Sequence, residues 1–282
     1  EPSANVADTV ETRFGFREFW IEGRQFMLNG VPIRLRGESH YRYGRDKESS
    51  DPATGLAYNR DLMRAFKDLL GSNGCRVHAS IAPASVALGA DEAGYLLIAQ
   101  SSIWSAMGSH YRRGGEAFLR NTRAEFAEWI RRDRNSPSVV IWDVENEMIR
   151  GESKAENLPW VLKLDDFVRE HDDTRPIEHS GAGWYAPQQQ IVHVHMQEHY
   201  TEILEMWRDK GRRPIVMGEF WVGGRGETRL PSSVEFSSRK EWYDEEARLY
   251  EEYLLEMRHF GVSGLMPFRV TASLLVAAGS KD

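Results

Sequence analysis

Two glutamates carry the chemistry that is legible in this sequence. Glu147 lies in the stretch Asn135 to Met148, NSPSVVIWDVENEM, and Glu219 lies in Pro214 to Phe220, PIVMGEF. In each, a short apolar, β-branched run ends in a carboxylate. Such a run suits a parallel strand covered on both faces, and α/β barrels assemble their chemistry at the carboxyl ends of their strands. Alone, Glu145 and Glu147 are equally well read as the acidic first turn of a helix, favoured by the positive end of its dipole. The second segment of the same build shifts the balance. Two strand-end glutamates can face each other across a barrel mouth as acid/base and nucleophile.

The elements needed to hold them are readable in order. Glu1 to Arg13 is polar and reads as a linker or tail, which leaves residues 14–282 as one barrel domain. Phe19 to Phe26 and Val31 to Leu35 flank Leu28-Asn29-Gly30, and Asn-Gly between apolar runs signals a hairpin. Strands are expected at Ile33–Gly37, Cys75–His78, Tyr95–Ala99, Val139–Trp142, Pro176–His179, Gln190–His195, Pro214–Glu219 and Gly264–Phe268. Helical spacing appears at Asn59–Gly71, Val86–Ala93, Ala117–Arg134, Leu158–His171, Glu202–Lys210 and Glu241–Phe260, and Gly223 to Ser238 reads as a long loop. Alternation of this kind predicts a single-domain parallel (β/α)8 barrel. Trp142, mid-strand, is expected in the core.

Composition narrows the function. A chain of 282 residues, 41% hydrophobic, can bury one large core, and such barrels need about 250 residues. The net charge of −7 speaks against a nucleic-acid partner, because phosphate binding calls for a basic face. No run approaches the ~20 apolar residues of a membrane span. The one cysteine, Cys75, reads as a small buried residue. With no secretory leader and no initiator Met, the expected location is the cytoplasm, or the periplasm or exterior for an excised domain.

Taken together, RFGFREFWIEGRQFMLNGVPIRLRG, SNGCRVHAS, DEAGYLLI, NSPSVVIWDVENE, TRPIEHS and PIVMGEF, in that order, resemble the catalytic barrel of glycoside hydrolase family 2, the family of β-galactosidases, β-glucuronidases and β-mannosidases. The resemblance implies a retaining exo-β-glycosidase acting on a carbohydrate substrate without metal or cofactor. It assigns Glu147 as acid/base, Glu219 as nucleophile, Asn146 as the ligand of the sugar 2-hydroxyl and Arg76 as support for the nucleophile. Tyr200, His195 and His199 are candidates for the strand-six contact near the nucleophile. Such an acid/base should be protonated in the free enzyme, raised by burial and by the charge of Glu219.

The sequence departs from the family in places. Gly37-Glu38-Ser39-His40-Tyr41 stands where members show a GVNRH-like motif, and His40 is carried as a candidate sugar contact. Pro267-Phe268-Arg269 replaces the usual strand-eight tryptophan, so Phe268 becomes the candidate stacking ring. Trp104, Trp184 and Trp221 follow strand ends and are candidate platforms. Full-length members carry jelly-roll and immunoglobulin-like domains before the barrel, and none is present in this sequence. The wording near strand three leans toward a β-galactoside or β-mannoside.

Two other readings compete. His193 and His195, with His199 and His179, could hold a divalent ion in a metal-dependent barrel hydrolase. Alternatively the barrel binds carbohydrate without turning it over. Glu145 shares a strand face with Glu147 in a regular strand, which suits either a ligand or a supporting hydrogen bond.

Overall fold

Asn29 and Gly30 adopt left-handed φ angles of 51° and 81°, which a two-residue type I′ turn demands and Asn-Gly supplies. The turn joins β2 (Gln25–Leu28) to β3 (Val31–Ile33), and β1 (Phe19–Glu22) completes a three-stranded antiparallel sheet. The computed structural model describes residues 8–40, 47–105, 108–150, 154–184, 188–195, 200–220 and 238–268. Its remaining elements are β4 (Leu35–His40), α1 (Lys47–Ser50), α2 (Gly55–Leu70), β5 (Gly74–Val77), α3 (Ala84–Ala93), β6 (Leu96–Gln100), α4 (Gly108–Asp133), β7 (Val139–Asn146), α5 (Lys154–His171), β8 (Ile177–Ser180), β9 (Val192–His195), α6 (Tyr200–Lys210), β10 (Ile215–Glu219), α7 (Arg239–Phe260) and β11 (Gly264–Leu265).

From β4 onward the strands form one sheet in the order β8-β7-β6-β5-β4-β11-β10-β9, every neighbour parallel. The ends of that sheet meet. Gly183 donates its N–H to the His193 carbonyl at 2.8 Å, and Ile177 donates to the Gln190 side chain at 2.8 Å. The result is the expected (β/α)8 barrel, nearly closed. Among the described residues no helix separates β8 from β9, so the alternation is less regular than the sequence pattern suggested.

Two layers of apolar packing hold it. Between strands and helices, Trp142 sits edge-on to Trp129, ring centroids 4.8 Å apart, and donates its indole N–H to Asp172 at 3.0 Å. Truncating such a buried tryptophan costs about 3–5 kcal/mol. Inside the barrel, the stacked pair Phe19 and Phe26 packs with Leu35, Val140, Ile141, Val216 and Met266. Arg17 donates to the carbonyls of Pro137 and Val139, and Ser263 to that of Arg24. The small sheet therefore plugs the end where the barrel strands begin. Chemistry is left to the opposite end.

Strand spacing depends on one close approach. A Cβ at Gly37 would lie 1.6 Å from the Gly74 carbonyl oxygen, so β4 and β5 pair at this point only with glycine. Residues 8–13 are exposed and outside any helix or strand.

Candidate active site

Arg76 is where the strand ends converge. It rises from β5 with its guanidinium fully buried. Nη1 donates to Glu219 Oε1 at 2.8 Å and to Ser39 Oγ at 2.5 Å. Nη2 donates to Asn146 Oδ1 at 2.6 Å and Gln100 Oε1 at 3.1 Å, and Nε to Asp143 Oδ2 at 3.2 Å. The planar fork thus ties β4, β6, β7 and β10 to β5, a geometry that lysine could not reproduce. Burial pushes Asp143 up to about 6, against the pull of Arg76 and a hydrogen bond from Ser180. Glu178, also buried and beside Asp143, is raised well above the ordinary carboxylate range.

Both strands that deliver the glutamates carry an extra residue just before them. In β10 the pairing steps from Met217 opposite Val194 to Glu219 opposite His195, which leaves Gly218 as the bulge. In β7 it steps from Asp143 opposite Glu178 to Asn146 opposite Ser180. A bulge bends its strand and re-aims the next side chain. Here the consequence is that β7 continues four residues past Trp142, with Asp143 and Asn146 both directed at Arg76. Glu145 is turned instead toward α5, so it does not share a face with Glu147 as a regular strand would require.

Glu219 is buried and held ionised. Burial raises its pKa, but His195, Arg76 and His78 outweigh burial and hold it well below the ordinary value. His78 Nε2 is 3.1 Å and His195 Nε2 3.5 Å from Glu219 Oε1. His78 itself is lowered, first by burial.

Glu147 sits past the end of β7 with a left-handed φ of 62°, and its N–H is held by the Ser180 carbonyl at 2.9 Å. His195 Nδ1 lies 2.8 Å from its Oε1, and Arg150 donates to the same oxygen. Burial raises this carboxyl, yet the contact and charge of His195 and the charge of Arg150 prevail, and its pKa is lowered. The expectation of a protonated Glu147 in the free protein is therefore corrected. Its carboxylate is only part-buried, and its contacts with His195 and Arg150 outweigh both burial and the repulsion of Glu219.

His195 spans the two carboxylates, and Phe268 places its ring 4.9 Å from His78, edge-on. His40 ends β4, paired with Val77, and Tyr200 opens α6. The side chains of both lie outside the described residues, as do Trp221 and His199. Trp104 is exposed beside the mouth and bridges to Asn146. Among the described residues, Glu147, His195 and Glu219 form a set able to converge on one ion, with one donor atom of each within 4.8 Å of the others. His193 is not in that set. Its Nδ1 accepts the Gly181 N–H at 3.0 Å, and His179 is directed toward Asp165 on α5, so among the described residues His193 and His179 do not join His195 in that set.

His78, Ser180 and Arg150 join the site without a sequence signal that assigns them to it. His78 was within reach, because it follows Arg76 by two residues on one strand face.

The sequence model described as Glycosyl hydrolases family 2, TIM barrel domain, matches residues 16–234. The chain belongs to glycosyl hydrolase family 2. Within the family it is 25% identical over 226 residues to a β-galactosidase of Aeromonas hydrophila, covering 76% of this chain and 20% of that protein. It is 26% identical over 181 residues to a β-glucuronidase of Paenibacillus borealis, covering 61% and 29%. The family-2 barrel superposes on the β-galacturonidase of Eisenbergiella tayi bound to galacturonate with a TM-score of 0.70 at 20% identity, over 91% of this chain and 47% of that one. The chain thus spans less than a third of these curated relatives and under half of that solved structure.

Proposed function

We propose that this barrel is the catalytic domain of a retaining exo-β-glycosidase, with Glu219 as nucleophile and Glu147 as general acid/base. What carries the reading is the pairing of two strand-end glutamates with oxygens within 4.8 Å of each other. Retaining enzymes hold their carboxyl groups about 5–5.5 Å apart, and inverting ones about 6.5–9.5 Å. The surroundings of Glu219 favour the charged form that a nucleophile needs.

In the first step a Glu219 oxygen attacks the anomeric carbon of a terminal sugar while the glycosidic oxygen departs with the proton of Glu147. In the second, water gives a proton to Glu147 and displaces Glu219 from that carbon. In this reading Asn146, held by Arg76, binds the 2-hydroxyl, and Phe268 stacks on the sugar. The sugar is a neutral hexose, galactose or mannose, or a uronic acid, glucuronic or galacturonic. The similarity to both β-galactosidases and β-glucuronidases supports keeping both classes.

The test is hydrolysis of nitrophenyl β-galactoside, β-mannoside, β-glucuronide and β-galacturonide by wild type and by Glu219→Ala. Turnover of one sugar, lost in the variant and recovered with azide as the α-glycosyl azide, is expected. A folded wild type inert on all four would overturn the reading in favour of a non-catalytic carbohydrate-binding barrel.

A further inference from the structure

Glu145, His179 and Asp165 are buried one layer behind the mouth, where the chemistry above does not use them. His179 Nε2 lies 2.8 Å from Asp165 Oδ1, and its Nδ1 lies 3.3 Å from Glu145 Oε1. The second oxygen of Glu145, Oε2, accepts the Met148 N–H at 2.5 Å. Burying three ionisable side chains from three elements costs desolvation that an apolar trio would not. Of the three, Glu145 is the one that grips the turn bearing Glu147.

That turn needs gripping. Glu147 has a φ of 62°, a region that residues with a Cβ seldom occupy and keep only where the surroundings over-determine it. The backbone is pinned on either side: Asn146 N–H by the Ile103 carbonyl at 2.9 Å, Glu147 N–H by Ser180 at 2.9 Å, and the Met148 carbonyl by the Asn157 amide at 2.6 Å. The Met148 N–H, turned out of the β7 ladder by the left-handed residue before it, has the Glu145 carboxylate as its acceptor. We propose that Glu145, flanked by His179 and Asp165, is a positioning residue for Glu147, holding through the Met148 N–H the left-handed turn that aims the Glu147 carboxyl at the glycosidic oxygen. The proposal rests on the acid/base role given to Glu147 above.

A misaimed acid is felt only where protonation matters. Alkyl aglycones cannot leave without a proton, whereas dinitrophenolate can. The experiment compares methyl and dinitrophenyl β-glycosides of the sugar turned over in the panel, using wild type, Glu145→Leu and Glu145→Gln. In Glu145→Leu, kcat/KM for the methyl glycoside should fall by about 10–100-fold, the scale of a misplaced acid, with less than about 3-fold change for the dinitrophenyl glycoside. Glu145→Gln, which keeps an oxygen acceptor for the Met148 amide, should restore most of the loss. Equal losses on both aglycones, or none on either, would overturn the proposal.

Should Glu145→Leu not fold, amide exchange at Met148 in the wild type carries the test: slow exchange supports the grip, and exchange as fast as in an unstructured chain overturns it. Wild type inactive on every glycoside would sink the proposed function instead, and Met148 exchange would still report on the turn.

Discussion

Arg76 Nη1 meets Glu219 Oε1 at 2.8 Å with both side chains buried, joining β5 to a strand three places away around the barrel. A cation with no access to water is thus committed to one carboxylate and shared with a second, Asp143.

Removing it should unbalance the whole mouth. Arg76→Met leaves Glu219 and Asp143 buried without their cation, a defect that costs about 3–5 kcal/mol, measurable by chemical denaturation. Loss of the cation also raises the Glu219 pKa, so any residual activity should fail at a higher pH on acidification than in wild type. Arg76→Lys keeps the charge but not the fork, and should recover stability better than rate.

The pH profile follows from two depressed carboxyls. In the proposed mechanism Glu219 works ionised, and it is held well below its ordinary value; Glu147 works protonated, and it is also lowered, though less. Activity should therefore peak on the acid side of neutrality, with the falling limb set by Glu147. Arg150→Gln removes a cation from Glu147, raises its pKa and should move that limb to higher pH. A kcat/KM profile unchanged by the substitution would show that Arg150 does not act on Glu147.

Asp143 should leave a mark on stability. Its pKa is 3.8 ordinarily and about 6 in the fold. A raised folded value means that the stability contributed by its proton is fully present below 3.8 and is lost as pH rises through about 6. Asp143→Asn cannot titrate, so denaturation midpoints between those values should vary less with pH in the variant than in wild type.

Two glycines should differ in tolerance. At Gly218 an added Cβ would fall 1.7 Å from the His193 ring, a side chain that can shift; at Gly37 it would fall 1.6 Å from a carbonyl oxygen of the neighbouring strand. Overpacking typically costs about 1–3 kcal/mol and occasionally more. Thermal unfolding should place Gly37→Ala below Gly218→Ala. The latter should lose activity out of proportion to stability, because it disturbs the bulge before Glu219.

How much of this the sequence disclosed depends on the range of the interaction. Asn29-Gly30 encodes its turn locally, and the hydrophobic runs ending at Glu147 and Glu219 announce strand ends within a few residues. Asp143 and Glu145 mislead for the opposite reason. Charges after Trp142 look like the end of a strand, yet β7 continues because Arg76 and Ser180, remote in sequence, satisfy Asp143, while Glu145 accepts the Met148 N–H. A one-residue bulge leaves no compositional trace, so the faces of Glu145 and Glu147 cannot be assigned by counting in twos. Periodicity does not show the turn through which Arg150 and His195 reach Glu147, and with it the cause of that carboxyl's lowered pKa.

The plug formed by Phe19 and Phe26 makes the barrel a blind well. With the lower end stopped, sugar, aglycone and water share a single doorway. In the proposed reaction the aglycone must vacate that doorway before the hydrolytic water can take its place, and the freed sugar must back out the way it came. Either departing molecule therefore competes for the space the next substrate needs, so product should inhibit competitively, with no rear exit to relieve the congestion.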